Sequence, residues 1–263
     1  MTPMLGIMAS QISGHLSPTS PVAGYKVWLD AADTGTITSS GGAVSQWTDK
    51  SGNAYTFTQA TAAYKPTTGT QTQNGKNVLA WDSNDLLVST AAASVWKFLN
   101  YGSGSTYFIA AKHTATSSFG SVITTNGGSE LEKGVLKWFR SSSNYGEQVA
   151  TGSSGVYAVN NNTASSSYDG AFTYISSVTI PNDGTAANRS SIQFKQGSAI
   201  KNNTETAAAP NNDPGFTLYL GDYATAGGLA MQGTIGEILM YDSVLSAGNI
   251  LLNQQYLAAK WGV

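Results

Sequence analysis

From Tyr25 to Asp242 the apolar residues come in short runs, and almost every run is stopped by glycine, asparagine, aspartate or proline. An amphipathic helix needs apolar side chains at three- and four-residue spacing over roughly ten residues or more. What recurs instead is strand-length text. Tyr25–Leu29, Val44–Trp47 and Asn77–Trp81 lead, followed by 105–112, 119–125, 134–140, 155–159, 171–180, 190–196, 216–222 and 233–242. Between them stand turn formers such as Asp49-Lys50-Ser51-Gly52-Asn53, Asn126-Gly127 and Pro181-Asn182-Asp183-Gly184. Many short strands joined by polar turns predict an all-β chain, with two antiparallel sheets packed face to face as a sandwich. No repeat of 20 to 50 residues is visible, which disfavours a solenoid or a propeller.

Composition agrees. Charged residues make up 11% of the 263, where an ordinary soluble domain has about 25%. Helical proteins lean on Glu and Lys, so this balance argues against a helix bundle; 41% apolar residues, with 6 Trp, 13 Tyr and 8 Phe, argue against disorder. The net charge of −2, with basic residues spread singly, lacks the cationic stripe of a nucleic-acid binder. Zero cysteines excludes disulfides, thiolate metal sites and thiol catalysis. No stretch approaches the roughly 18 apolar residues of a spanning helix, so membrane insertion is not expected.

The two ends differ from the middle. Leu5, Met8, Ile12 and Leu16 recur at helical spacing, ahead of Ser17-Pro18-Thr19-Ser20-Pro21. This predicts an apolar docking peptide over residues 1–24, extended or helical, held off a domain of residues 25–263 by its prolines. It is not read as a secretion signal, because no basic residue precedes Lys26 and the apolar core is short. At the other end a helix is predicted from Ala247 to Lys260, with Ser246 as N-cap, Gly262 as stop, and Leu252, Tyr256 and Ala259 on one face.

Catalytic patterns are scarce. The two histidines, His15 and His113, stand in no triad spacing, and no Gly-x-Ser-x-Gly elbow occurs. Glu130 and Glu132 would share a strand face, but Lys133 and Gly134 replace the continuation of a glucanase-type strand, and the pair reads as a solvated turn. No catalytic residue, no metal ligand and no cofactor is assigned. Calcium is the one metal worth testing, through Asp49/Ser51/Asn53, Asp82/Asn84/Asp85 or Asn211/Asn212/Asp213, although Ala54 replaces the glycine of an EF-hand loop. Sugar recognition favours aromatic faces beside short neutral polar groups. Asn144 and Tyr145, Asn161 and Tyr168, and Asp222 and Tyr223 lie in stretches of that make-up, at 141–147, 157–170 and 221–223, all read as loops.

Two stretches carry a family resemblance. Trp28-Leu29-Asp30-Ala31-Ala32-Asp33 with Val44-Ser45-Gln46-Trp47-Thr48-Asp49-Lys50-Ser51-Gly52-Asn53 resembles the opening of the concanavalin A-like lectin/glucanase superfamily, in its laminin-G-like branch. Gly233–Asp242, Leu245-Ser246 and Tyr256–Gly262 resemble its closing strand and helix. The resemblance implies a jelly roll over residues 25–263. The leader Met4–Gln11 before such a module is similar to bacteriophage virion proteins. That similarity implies a non-enzymatic structural protein, a head decoration or tail fibre module exposed on the particle and assembled in the host cytoplasm. Leu5, Met8, Ile12 and Leu16 would dock it to other virion proteins, its copies would form a homo-oligomer, and it would bind host-surface glycans weakly. The alternative is a free, calcium-dependent lectin or adhesin; a glycan hydrolase is the less favoured third.

Overall fold

The computed structural model describes residues 17–263 apart from 83, 115–118, 128–132, 142–143, 154–155, 163–169, 181–189, 205–206, 208–210 and 224–229. The first strands are β1 (Val27–Asp30), β2 (Ile37–Ser40), β3 (Ala43–Thr48), β4 (Thr56–Thr58), β5 (Thr67–Gln73), β6 (Lys76–Trp81) and β7 (Leu87–Ser89). Then come β8 (Ser105–His113), β9 (Phe119–Thr124), β10 (Lys133–Ser141), β11 (Asn144–Ser153) and β12 (Val156–Asn162). The chain closes with β13 (Thr173–Ile180), β14 (Ser190–Lys195), β15 (Ser198–Thr204), β16 (Tyr219–Leu220), β17 (Gly233–Tyr241) and the helix α1 (Ala247–Trp261).

All strand pairings are antiparallel, and they resolve into two layers. In the first, β17 is central: β8 lies along one side, while β6 and then β1 share the other. Beyond β8 follow β13, β14 and β15; beyond β6 lies β5. The second layer runs β2–β3–β4–β7–β16–β9–β10–β11–β12. One pairing, Ala43 on β3 with Thr67 on β5, turns the corner between them. This is the expected two-sheet sandwich with a C-terminal helix.

Side-chain parity explains the core. On β8, Tyr107, Ile109 and Ala111 face the second sheet, while Phe108 and Ala110 face the other way. On β17, Ile238 and Met240 face inward, and Leu239 and Tyr241 pack under α1 through Tyr256, Leu257 and Trp261. The middle of the first sheet is thus covered on both faces, which is why every residue of β17 is buried, Thr234 and Glu237 included. The inter-sheet core is completed by Trp47, Phe57, Leu87, Val122, Trp138 and Val149 of the second sheet.

The helix begins and ends as expected. Ser246 Oγ accepts from the Asn249 N–H at 3.3 Å, and Gly262 takes the left-handed conformation (φ 68°) that closes the last turn. Its buried face differs from the expected one. Leu252 is 38% exposed and Ala259 is exposed, while Asn253, Gln254, Tyr256, Leu257 and Trp261 are buried. Polar residues decide the difference. Asn253 donates to the Tyr241 hydroxyl at 3.0 Å and accepts from the Val22 N–H at 2.8 Å, and Gln254 donates to Ser176 Oγ at 3.1 Å. A search for an apolar stripe passes over these two anchors.

The same bonds place the start of the described chain. Pro21 is buried, and the Val22 carbonyl accepts from Tyr241 at 2.7 Å, so the Pro/Ser segment lies against the domain by that point. Leu5, Met8, Ile12 and Leu16 lie outside the described residues.

Leu257→Ala should cost about 2–5 kcal/mol by urea unfolding, whereas Leu252→Ala should stay within about 0.5 kcal/mol. Equal costs would refute this assignment of the helix face.

Candidate functional site

The two stretches that carry the family resemblance meet around one carboxylate. The register of β17 against β8 shifts between Ile235 and Glu237, and this extra residue turns Glu237 toward the helix instead of the inter-sheet core. There Glu237 is fully buried. Its Oε1 accepts from Trp28 Nε1 at 2.7 Å and from the Tyr256 hydroxyl at 2.8 Å. Its Oε2 accepts from Trp261 Nε1 at 2.9 Å and pairs with Lys260 Nζ at 2.8 Å. Lys260 also holds Asp30 at 2.7 Å; Asp30 reaches Lys50 at 3.2 Å, and Lys50 pairs with Asp33 at 2.8 Å. Burial pushes the Glu237 carboxyl above its ordinary range, and the Lys260 ammonium pulls against that rise. The bond from Lys50 holds the Asp33 carboxyl below its own.

A surface depression of about 450 Å³ opens over this network, with Ser17, Pro18 and Thr19 on its rim and Trp28, Lys50 and Lys260 in its lining. Its charged groups are engaged with one another, and Lys50 Nζ lies 4.3 Å over the Trp28 ring. The motif residues therefore clasp the first strand, the last strand and the helix together, a role in folding.

The oxygen-rich loops are likewise turned on themselves. Asp49 Oδ1 accepts from the N–H groups of Trp28 at 2.7 Å and Ser51 at 3.0 Å, and the Ser51 hydroxyl donates to Oδ2. Asp85 Oδ2 accepts from the Asp82 N–H at 2.8 Å, and Asn84 is bonded to Asp82 and to the Ala63 carbonyl. In the third loop, the Asn212 carbonyl accepts from Asn100 at 3.2 Å. In the first two loops the carboxylates are taken up by nearby N–H and hydroxyl donors, a poor fit for calcium. Among the described residues no group of three His, Asp or Glu is placed to hold a metal ion.

The residues singled out for sugar contact fall elsewhere, and several fall together. Asn144 and Tyr145 open β11 opposite Ser141 and Arg140 of β10. Arg140 pairs onward with Gly120, near the start of β9. Asn161 lies near the end of β12, opposite Glu147. On the other flank of β9, Leu220 of β16 pairs with Ile123, and the Gly221 N–H bonds to the Val122 carbonyl at 3.1 Å. That direction carries Asp222 and Tyr223 toward the Gly120 end. Five of the six residues thus reach one end of the second sheet; Tyr168 lies outside the described residues.

Two expectations change in detail. Asn144, Tyr145 and Asn161 belong to strands and not to loops, because pairing with neighbouring strands overrides their weak local preference. Asp222 is fully buried and its Oδ1 accepts from the Tyr223 N–H at 2.7 Å, so it braces the turn. Tyr223 is half-buried, and its hydroxyl is pushed up to about 12 by burial and by the Asp222 carboxylate.

Sequence reasoning missed a buried pair beside this end. The Tyr107 hydroxyl donates to Glu147 Oε2 at 2.8 Å, both groups being buried. Burial and the Glu147 carboxylate raise the Tyr107 hydroxyl well above its ordinary range. Polar residues inside apolar alternation were the available signal. His113 is also buried, with its ring edge-on to Trp138 at 5.4 Å. Glu130, Glu132 and His15 lie outside the described residues.

No protein-family model matches the chain, and no curated protein matches it. Solved structures do. A mutant of Trypanosoma rangeli sialidase displaying trans-sialidase activity superposes with a TM-score of 0.57 at 12% identity, over 94% of this chain and 34% of that one. Trypanosoma rangeli sialidase in complex with 2,3-difluorosialic acid gives 0.55 at 12% identity, over 94% and 35%. The CBM40 of Ruminococcus gnavus IT-sialidase bound to α2,3-sialyllactose gives 0.46 at 14% identity, over 63% and 86%. The chain spans about a third of the sialidase chains and most of the CBM40 chain. The likeness is one of fold, consistent with the concanavalin A-like sandwich. One expectation is corrected by it: the chain was read as no enzyme, yet its sandwich is shared with chains that are sialidases.

Glu237→Gln, which removes the charge that Lys260 meets in the interior, should cost about 3 kcal/mol in urea unfolding; a change below about 0.5 kcal/mol would show that the clasp is dispensable. Burial raises the Asp85 carboxyl to about 6 from 3.8. The folded chain therefore holds a proton there that the unfolded chain has released, and the stability this provides at low pH is lost as pH rises through about 6. Asp85→Asn should gain in melting temperature relative to the parent between pH 4 and 7 (roughly the window of that loss). An unchanged difference would contradict the assignment.

Proposed function

We propose that this chain is a carbohydrate-binding β-sandwich whose glycan contacts lie at the end of the second sheet formed by β16, β9, β10, β11 and β12. The observation that carries the reading is the register, which gathers Asn144, Tyr145, Asn161 and Tyr223 from three separate sequence stretches, with buried Asp222 bracing the last of them. Tyrosine supplies a stacking face, and asparagine supplies neutral donors and acceptors matched to hydroxyl groups. Rigid strands beneath the contacts lower the entropic cost of ordering them. Occurrence of the same sandwich within sialidase chains supports a glycan-handling setting.

The particle setting belongs to the same proposal. The leader resembles those of phage virion proteins, and Leu5, Met8, Ile12 and Leu16 would seat the chain on capsid or tail proteins, leaving the sandwich exposed. Neutral contacts give low affinity per site, and many copies on one particle would compensate through avidity.

A glycan array probed with the full chain should show binding that Tyr223→Ala weakens by about tenfold or more, the scale of one lost aromatic contact. An array on which no glycan binds would sink the reading. Deletion of residues 2–16 should leave the sandwich folded, since among the described residues the first bonds to the domain are at Val22, and should abolish association with particles. A truncated chain that still assembles would overturn the anchor.

A further inference from the structure

Two large apolar side chains stay exposed among the described residues, Leu251 at 53% and Leu252 at 38%, and both stand on α1. Their neighbours on the outer side of the helix are Gly248, Gln255 and Ala259, at spacings of three and four and all exposed. α1 has a single charged residue, Lys260, which turns inward to Asp30 at 2.7 Å and Glu237 at 2.8 Å. A surface helix ordinarily keeps its charges on the outer face. This one shows solvent an uncharged stripe with two leucines in it.

The start of the described chain runs along the same helix. The Val22 N–H donates to Asn253 at 2.8 Å, while Ser17, Pro18 and Thr19 lie with Tyr256, Ala259 and Lys260 around the depression. Followed toward its N-terminus, the chain therefore passes from the middle of α1 to its C-terminal end. Leu252 then lies about 12 Å behind, at 1.5 Å of rise per residue from Lys260. Ahead of Ser17 come sixteen residues without Asp, Glu, Lys or Arg, with Leu5, Met8, Ile12 and Leu16 at helical spacing. An uncharged apolar peptide meeting an uncharged apolar stripe strips no charge of its water. A chain that leaves α1 by its far end has its own leucines behind its leader, and those of a second copy within reach ahead of it.

We infer that the leader of one copy docks on the Leu251/Leu252 stripe of a second copy. The inference rests on the reading of the leader as a docking peptide and names its partner. Two copies exchanging leaders make the contact twice about a two-fold axis. One helix face is small beside a standard interface of about 800 Å² per partner, so the pairing is weak in free solution and favoured where copies crowd on a particle.

Sedimentation of the full-length chain over a dilution from about 1 mM to about 1 µM tests it. The parent should pass from dimer to monomer within that range. Leu251→Asp, and separately the double change Met8→Asp with Ile12→Asp, should each give a monomer throughout, with the melting temperature of the dilute parent. Mixed at the high end, the two variants should pair again, because one supplies the leader and the other the stripe. A monomeric parent, as docking of the leader on its own helix would give, overturns the inference. So does a dimer that survives either change, as pairing of the helices alone would survive the leader change, or a mixture that stays monomeric. The anchor reading is judged separately: deletion of residues 2–16 that abolishes association with particles leaves it standing whatever the parent's oligomeric state.

Discussion

A carboxylate stripped of water and surrounded by four donors organises this protein. Glu237 sits on the central strand of the first sheet, and its partners come from the first strand (Trp28) and from the helix (Tyr256, Lys260, Trp261). Taking that charge out of water costs several kcal/mol and is tolerated only where every lone pair is met. The requirement is strict enough to fix three elements relative to one another. Gly236 makes room for it: a methyl group there would come within 2.8 Å of the Trp261 ring. Asp30, Lys50 and Asp33 extend the same network outward.

From this clasp follows the asymmetry of the two sheets. Helix α1 and the polar network cover the outer face of the first sheet, so its central strands are apolar on both sides. The second sheet has no α-helix over it among the described residues; a short 3-10 helix, Ala93–Leu99, packs Trp96 against Tyr55 and Phe57. At one end of the sheet's ribbon from β9 to β12 the tyrosine and asparagine positions come together through the register. Ends of strands held by a rigid sandwich suit recognition, because the scaffold has already met the cost of order.

Much of the fold was legible in residue pattern. The β8, β9, β10, β13, β14 and β17 runs were located closely, because each alternates or stays apolar between strong turn formers. Strands with little apolar content were not: β2 (ITSS), β5 (TTGTQTQ) and β15 (SAIKNNT) are made by their neighbours' hydrogen bonds. β11 was read as a loop for the same reason, since Asn144-Tyr145-Gly146 has turn-like composition. The candidate site was legible in its residues but not in its assembly. Asp222 looked like a surface acid by its neighbours in sequence, and is buried.

By itself, then, the sequence determined the class of architecture, the helix with its two caps, and the kinds of side chain available for a sugar. Those are local properties, set by periodicity and by the conformational preferences of Gly, Pro and Asn. Tertiary structure decided which face of the helix is buried, that the family-like motifs serve as a clasp, and that Asn144, Arg140, Asn161 and Tyr223 share one end of a sheet. The physical reason is that antiparallel pairing brings distant residues together through register, and a buried charge chooses its partners through space; neither leaves a periodic trace in the order of residues.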